Sequence, residues 1–294
     1  MGNPSDLTLN VASALSLGER ERQEDALAVA FPDGSDLGFA VLSDGMGGHA
    51  AGDLASRIIV SEVFAELTLR GREPKDLAPD MPLLLRHAVN VANDSLRAHV
   101  EASPNRHGMG GTVIATAVLD DQLFWISVGD SALYLFRDGA LSRLNDVHSM
   151  AKQIELMVAK GMMDARTAED HPQRNCLTSA VMGDELAEVD CPPKPFQLRP
   201  DDVILVASDG IDVLAHGLIT EILRNGAGAD SRSLSKDLIA AVADAGDPHQ
   251  DNTSIIVIKT ERNVPELVTA APTVHKPGPL ARAFAWMLPR RVGG

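Results

Sequence analysis

An apolar strand that ends in Ser-Asp-Gly occurs twice in this chain of 294 residues, at 41–45 and at 206–210. In both copies the pattern Val-x-Ser-Asp-Gly brings one carboxylate, Asp44 or Asp209, to the tip of a predicted buried strand. The glycine that follows has no Cβ, so its backbone carbonyl can approach the same point. A single Asp-Gly is more often only a tight turn. The repeat instead favours strand ends that are built around a bound ion.

The apolar pattern of the remaining chain predicts a strand-rich fold that also contains long helices. Short runs bounded by turn residues predict further strands at 7–17, 26–31, 112–119, 122–128, 132–136 and 254–259. A helical period predicts helices at 50–69, 81–100, 214–223 and 234–243. Residues 145–196 break the strand pattern with an amphipathic helix at 150–163 and a second, short helix capped by Asp164. We interpret this segment as an insertion on the sheet.

Acidic residues stand at the ends of several predicted strands. Three follow a strand, namely Asp44, Asp130 and Asp209, and three precede one, namely Glu24, Asp25 and Asp251. In sheets whose strands alternate in direction, both groups fall at the same end of the protein. Carboxylates that converge without Lys or Arg partners in their motifs require cations for neutralisation. Because the set contains oxygen ligands without His or Cys, it suits Mg²⁺ or Mn²⁺ better than zinc.

Six motifs follow one another in the order RERQED, SDGMGG, GGT, GDS, SDG and DNTS across residues 20–254. This series resembles that of the metal-dependent type 2C serine/threonine protein phosphatases in their bacterial form, and the segment HPQRNCLTSAVMG resembles their flap. The resemblance implies an α+β fold, a four-layer αββα sandwich of two antiparallel sheets flanked by helices. We therefore predict a phosphatase domain at 1–260 with a flap at about 145–196. A basic, partly amphipathic tail would follow at 261–294.

The resemblance also implies a role for each motif residue. Asp44 would bridge two core Mn²⁺ or Mg²⁺ ions, the Gly45 carbonyl would ligate one ion, and Asp209 and Asp251 would complete one site. Asp25, or Glu24 beside it, would serve the other ion directly or through water. Asp130 matches the residue that holds a third, looser ion. Arg20 matches the arginine that binds the substrate phosphate, for which a planar guanidinium is suited; a solvated surface arginine is the alternative. Water activated by the metal pair would attack phosphorus without a phosphoenzyme.

Four positions depart from the family pattern. Val113 stands where the pattern has GTT, Ala132 where it has GDSR, and Gln23 where it has Asn. Met46 occupies the position after Asp-Gly where animal relatives place a histidine. None of these is a core ligand, so we expect altered activity or substrate binding without loss of function. His49 and His148 lie near motifs, and we expect structural roles for both. We expect the flap methionines Met157, Met162 and Met163 to be core residues.

Charge and composition exclude several classes of protein. The net charge of −15 disfavours nucleic-acid binding, and no apolar run approaches the ~20 residues of a membrane-spanning helix. The two cysteines lack CxxC spacing and are typical of reduced structural thiols. We accordingly expect a cytoplasmic monomer without a transmembrane segment.

The leading hypothesis is a protein phosphatase that hydrolyses phosphoserine and phosphothreonine, with a Ser/Thr kinase or its targets as substrates. A low-activity regulatory binding module on the same fold is the alternative. Such a module would be expected to have lost Asp44, Asp209 or Asp251, and all three are present.

Overall fold

Two antiparallel β-sheets and six α-helices make up the computed structural model, which describes residues 7–32, 37–47, 51–71, 77–103, 106–169, 171–174 and 176–262. The strands are β1 (Leu7–Ser16), β2 (Asp25–Ala30), β3 (Leu37–Met46), β4 (Gly110–Gly111), β5 (Val113–Leu119), β6 (Gln122–Val128), β7 (Ala132–Arg137), β8 (Ala140–Arg143), β9 (Phe196–Gln197), β10 (Val203–Ala207) and β11 (Thr253–Arg262). The helices are α1 (Ala51–Arg70), α2 (Met81–Ala102), α3 (Met150–Ala159), α4 (Ala165–Glu169), α5 (His216–Asn225) and α6 (Ser231–Asp244).

Three apolar clusters divide the molecule into four layers. One sheet has the strand order β1-β11-β10-β7-β8 and the other β2-β3-β5-β6-β9, with β4 paired to β3. A cluster that includes Leu42, Leu133 and Ile256 lies between the sheets. The outer face of the β3 sheet packs on α1 and α2, and the outer face of the β11 sheet packs on α5 and α6. The predicted αββα sandwich is therefore confirmed.

The strand register gathers the predicted acidic residues at one edge of the sandwich. Asp25 at the start of β2 pairs directly with Asp44 near the end of β3. The turn at 129–131 carries Asp130 and crosses from β6 in one sheet to β7 in the other. The β10 and β11 strands are antiparallel neighbours, so the end of β10 lies beside the start of β11. This arrangement places Asp209 and Asp251 near each other, as the strand pattern predicts.

The flap segment differs from its prediction in two respects. The predicted helix at 150–163 ends at Ala159, and Gly161 adopts a positive φ of 68°, a left-handed backbone that stops helices. Met157 and Met162 are 37% and 73% exposed, so the prediction that they are core residues is wrong. The cap of the second helix is confirmed, because Asp164 Oδ1 accepts a hydrogen bond from the Thr167 amide at 2.9 Å.

The described residues belong to one compact unit, 1–263, and the second unit, 264–294, lies outside them. The tail, and its predicted boundary near residue 261, therefore stay predictions. Within the described ranges, no helix combines the length and apolarity that crossing a bilayer requires.

Candidate active site

A cavity of about 640 Å³ opens at the edge where the acidic residues converge. The strand ends contribute Glu24, Asp44, Gly45, Asp130, Asp209 and Asp251 to its wall. The flap residues 176–180 and Met182 form another part of the wall. A smaller cavity of about 240 Å³ adjoins it, sharing Glu24 and Asp251 and containing Arg20. Of the predicted site residues, only Asp25 lines neither cavity.

Asp44 and Asp209 form the centre of the acidic cluster. Burial raises the pKa of Asp44 well above its usual range, and the charge of Asp209 raises it further. Burial also raises the pKa of Asp209, with Asp251 adding to the effect. Asp209 Oδ1 is buried and has no hydrogen-bond partner among the described residues. In the same part of the chain, neither side chain of this partly buried pair forms an ion pair with Lys or Arg.

The glycines of both Ser-Asp-Gly copies stand where the backbone leaves no room for a side chain. A Cβ at Gly45 would lie 2.1 Å from the Gly52 carbonyl oxygen, and one at Gly210 would lie 2.1 Å from the Asn252 carbonyl oxygen. Glycine thus lets the strand tips approach neighbouring segments, which explains the repeat in the sequence.

Thr112, which we did not predict as a site residue, anchors the tip of β3. Its amide donates to the Asp44 carbonyl at 2.9 Å, and its hydroxyl accepts from the Asp44 amide at 3.0 Å. The same hydroxyl lies 2.8 Å from Ser131 Oγ. Thr112 therefore joins the Asp44 strand to the turn that carries Asp130. Its position in the GGT motif could have identified Thr112 as a site residue from the sequence.

Glu24 and Asp25 occupy different environments. Glu24 faces both cavities, and burial raises its pKa. Asp25 is buried and lines neither cavity, and its Oδ2 accepts a hydrogen bond from Ser208 Oγ at 2.8 Å. Burial raises the pKa of Asp25 to about 6. Which of the two residues serves an ion stays a prediction.

Arg20 lines the smaller cavity, where it contacts Asp251, a predicted metal ligand. Its Nη2 donates to Asp251 Oδ2 at 2.6 Å, and both side chains are about half exposed. The loop that carries Arg20 is held by Gln23, which donates to the Ser16 carbonyl and accepts from the Asp25 amide. Asn252 also holds this loop through the Leu17 carbonyl. Gln23, one of the departures from the family pattern, therefore keeps a structural role here.

Asp130 faces the cavity from the turn between the sheets. Burial, and then the charge of Asp209, raise its pKa to about 7. His148 supports this turn, since its Nδ1 accepts a hydrogen bond from the Gly129 amide at 3.1 Å. His148 is buried and its pKa is lowered by burial. Its predicted structural role is confirmed, whereas His49 lies outside the described residues.

The chemistry of this cluster fits hard divalent cations. The donors are carboxylate and carbonyl oxygens, and the buried Asp209 oxygen without a partner is suited to a positive ion. In the ranges that the structure describes, no three His, Cys, Asp or Glu side chains already surround one point. Binding of an ion by Asp251 would involve a move of this side chain away from Arg20.

The raised pKa values predict an unusual pH dependence of stability. In EDTA, we expect the melting temperature to fall as the pH rises from about 5 to 8. The reason is that the pKa values of Asp25 and Asp130 lie above the unfolded value of 3.8, so the folded state binds more protons in this range. Thermal denaturation across this pH range checks the sign, with an expected change of several degrees. Asp130→Asn should flatten the dependence; an increase in stability with pH would contradict the prediction.

Comparison with known proteins agrees with this geometry. The family model described as protein phosphatase 2C matches residues 16–221. The chain is 32% identical over 217 residues to the serine/threonine protein phosphatase PstP of Mycobacterium tuberculosis, a match covering 74% of this chain and 39% of PstP. It thus spans about two fifths of the length of that relative. It is also 28% identical over 250 residues to the serine/threonine phosphatase stp of Listeria welshimeri, covering 83% and 92% of the two chains.

Solved structures show the same fold. The crystal structure of M. tuberculosis PstP/Ppp superposes with a TM-score of 0.71 at 29% identity, covering 86% of this chain and 99% of the other. A structure of the PstP catalytic domain in complex with two manganese ions gives a TM-score of 0.69 at 27% identity, covering 87% and 99%. The sequence match, the sandwich fold and the acidic cavity lead to one conclusion: this chain belongs to the protein phosphatase 2C family.

Proposed function

We propose that this chain is a metal-dependent protein phosphatase that hydrolyses phosphoserine and phosphothreonine and so opposes Ser/Thr kinase signalling. The observation that carries the proposal is the partly buried Asp44–Asp209 pair, which lies in an open cavity and, among the described residues, has no ion pair with Lys or Arg. Four further oxygen donors of the family motifs line the same cavity: Glu24, the Gly45 carbonyl, Asp130 and Asp251. An open cavity beside the flap suits a phosphate carried on a protein chain better than a closed metabolite pocket would.

The donor set supports binding of two core Mn²⁺ or Mg²⁺ ions. Asp44, Gly45, Asp209 and Asp251 would hold the ions, with Glu24 alongside, and Asp130 would hold a third. When bound, the cations neutralise the carboxylates and polarise the phosphoryl group and the attacking water. Arg20 would bind the phosphate oxygens after exchanging Asp251 for substrate. Asp25 would support the cluster from below through Ser208.

We infer further that the substrates include a Ser/Thr kinase or its targets, and that the chain acts in the cytoplasm as a monomer. The net charge of −15 supports the absence of nucleic-acid partners. We also propose that the catalytic domain ends near residue 260 and that the basic segment at 261–294 is a separate tail.

Removal of the metal tests the proposed function. With a phosphothreonine peptide and Mn²⁺, we expect phosphate release that stops in excess EDTA and returns when Mn²⁺ is restored, because the acidic cluster needs cations. Phosphate release is measured directly, and a melting curve in EDTA confirms that the protein remains folded. The proposed phosphatase activity would be rejected if the folded protein binds Mn²⁺ but releases no phosphate from phosphoserine or phosphothreonine peptides. The binding module would then be the better account.

A further inference from the structure

The turn at 129–131 has a support that the sequence motifs do not include. Its residues connect β6 in one sheet to β7 in the other, and they carry Asp130 into the cavity. Two carbonyl oxygens of this turn accept hydrogen bonds from one side chain, Arg143 at the end of β8. Arg143 Nη2 donates to the Asp130 carbonyl at 2.5 Å and to the Ser131 carbonyl at 2.9 Å. The Asp130 backbone is therefore held directly by a guanidinium group.

Arg143 is itself held in place by two neighbouring side chains. Its Nε donates to Asn145 Oδ1 at 3.1 Å, and its guanidinium carbon lies 5.8 Å from the centre of the Tyr134 ring. Asn145 is buried and also donates to the Ser131 carbonyl at 2.9 Å. A guanidinium with fixed neighbours loses little further conformational freedom when it holds the turn. The Arg143 guanidinium is thus already oriented to hold the turn at 129–131.

The sequence departs from the family pattern at this same turn. The motif that usually reads Gly-Asp-Ser-Arg ends here in Ala132, a buried residue at the start of β7. Arg143 comes from the adjacent strand, where it pairs in register with Tyr134. The turn therefore retains an arginine, but one that comes from β8.

We propose that Arg143 is a positioning residue that holds Asp130 in the orientation needed to bind a divalent cation. It contacts the backbone of the turn and does not line the cavity. The inference rests on the proposed function only in naming the cation, and its test includes binding as well as catalysis.

The experiment compares Arg143→Gln, Arg143→Lys and Asp130→Asn in the full chain. Arg143→Gln should weaken Mn²⁺ binding at the Asp130-dependent site about 10-fold in calorimetric titration, and it should raise the Mn²⁺ concentration for half-maximal activity similarly. Arg143→Lys should retain part of the Mn²⁺ binding, because lysine keeps the positive charge but lacks the planar guanidinium that contacts two carbonyl oxygens. In the Asp130→Asn background, Arg143→Gln should cause no further loss of Mn²⁺ binding, since it acts through Asp130.

Arg224→Gln is the matched control. Arg224 Nη2 also donates to a turn carbonyl, that of Gly139 at 2.9 Å, but this turn lies outside the cavity. This control should leave Mn²⁺ binding unchanged. Equal Mn²⁺ binding by Arg143→Gln and the wild type, or independent losses from the Arg143 and Asp130 changes, would overturn the inference. If the wild type binds Mn²⁺ but is inactive and Arg143→Gln still weakens binding, the inference stands and the proposed phosphatase activity fails.

Discussion

Asp44→Asn is expected to reduce kcat/KM for a phosphothreonine peptide by on the order of 10³-fold, which corresponds to about 4 kcal/mol of transition-state stabilisation. Asp44 lines the cavity beside Gly45, and the charge of Asp209 contributes to the raised pKa of its carboxyl group. An amide keeps the shape of the side chain but removes the negative charge that a cation requires. The measurement is steady-state hydrolysis at saturating Mn²⁺, combined with a calorimetric titration of Mn²⁺ binding.

The stability of this variant separates loss of chemistry from loss of folding. Because desolvation and neighbouring acids raise the pKa of Asp44, the neutral amide should leave the melting temperature at pH 8 in EDTA unchanged or higher. Asp94→Asn serves as the control, since Asp94 is exposed and forms an ion pair with Arg97 at the protein surface. It should retain wild-type activity. An Asp44→Asn enzyme with near-normal kcat/KM would reject the assignment of Asp44 as a metal ligand.

The gathering of acidic residues could be predicted because it depends on local patterns. Apolar runs that lead into Ser-Asp-Gly predict that a strand is near its end, and antiparallel pairing brings strand ends together. The register of Asp25 opposite Asp44 is the direct result. The roles of Glu24 and Asp25 could not be separated, because adjacent residues of an extended segment point to opposite sides. Which side faces the cavity depends on how the sheets pack.

The contacts that support the site depend on tertiary structure. Arg20 and Asp251 are 231 residues apart, and neither motif indicates that they form an ion pair. Arg143 belongs to β8, a strand that the sequence pattern did not predict, and it reaches the turn at 129–131 only because β7 and β8 pair. The motifs therefore identify the groups that line the cavity. Of the residues that orient those groups, Thr112 and Gln23 belong to the motifs, whereas Arg143 comes from a segment without a recognisable pattern.

Arg20→Ala is expected to raise KM for a phosphothreonine peptide roughly 10- to 100-fold, with a smaller effect on kcat. A hydrogen bond to a charged group contributes about 1.5–3 kcal/mol, and the planar guanidinium can give two such bonds to phosphate oxygens. The variant should be as stable as the wild type, because an ion pair with both side chains about half exposed contributes at most about 1 kcal/mol. Initial rates over a range of peptide concentrations measure both constants.

Two further variants decide whether this effect is specific. Arg20→Lys should give an intermediate KM, because an ammonium group keeps the charge but cannot contact two phosphate oxygens in one plane. Arg70→Ala removes another exposed arginine that is paired to a carboxylate, Glu66, at 2.6 Å, and it should leave KM unchanged. Wild-type KM in Arg20→Ala would show that the Arg20–Asp251 ion pair persists when substrate binds. Phosphate recognition would then fall to the cations, and Arg20 would serve only to hold Asp251.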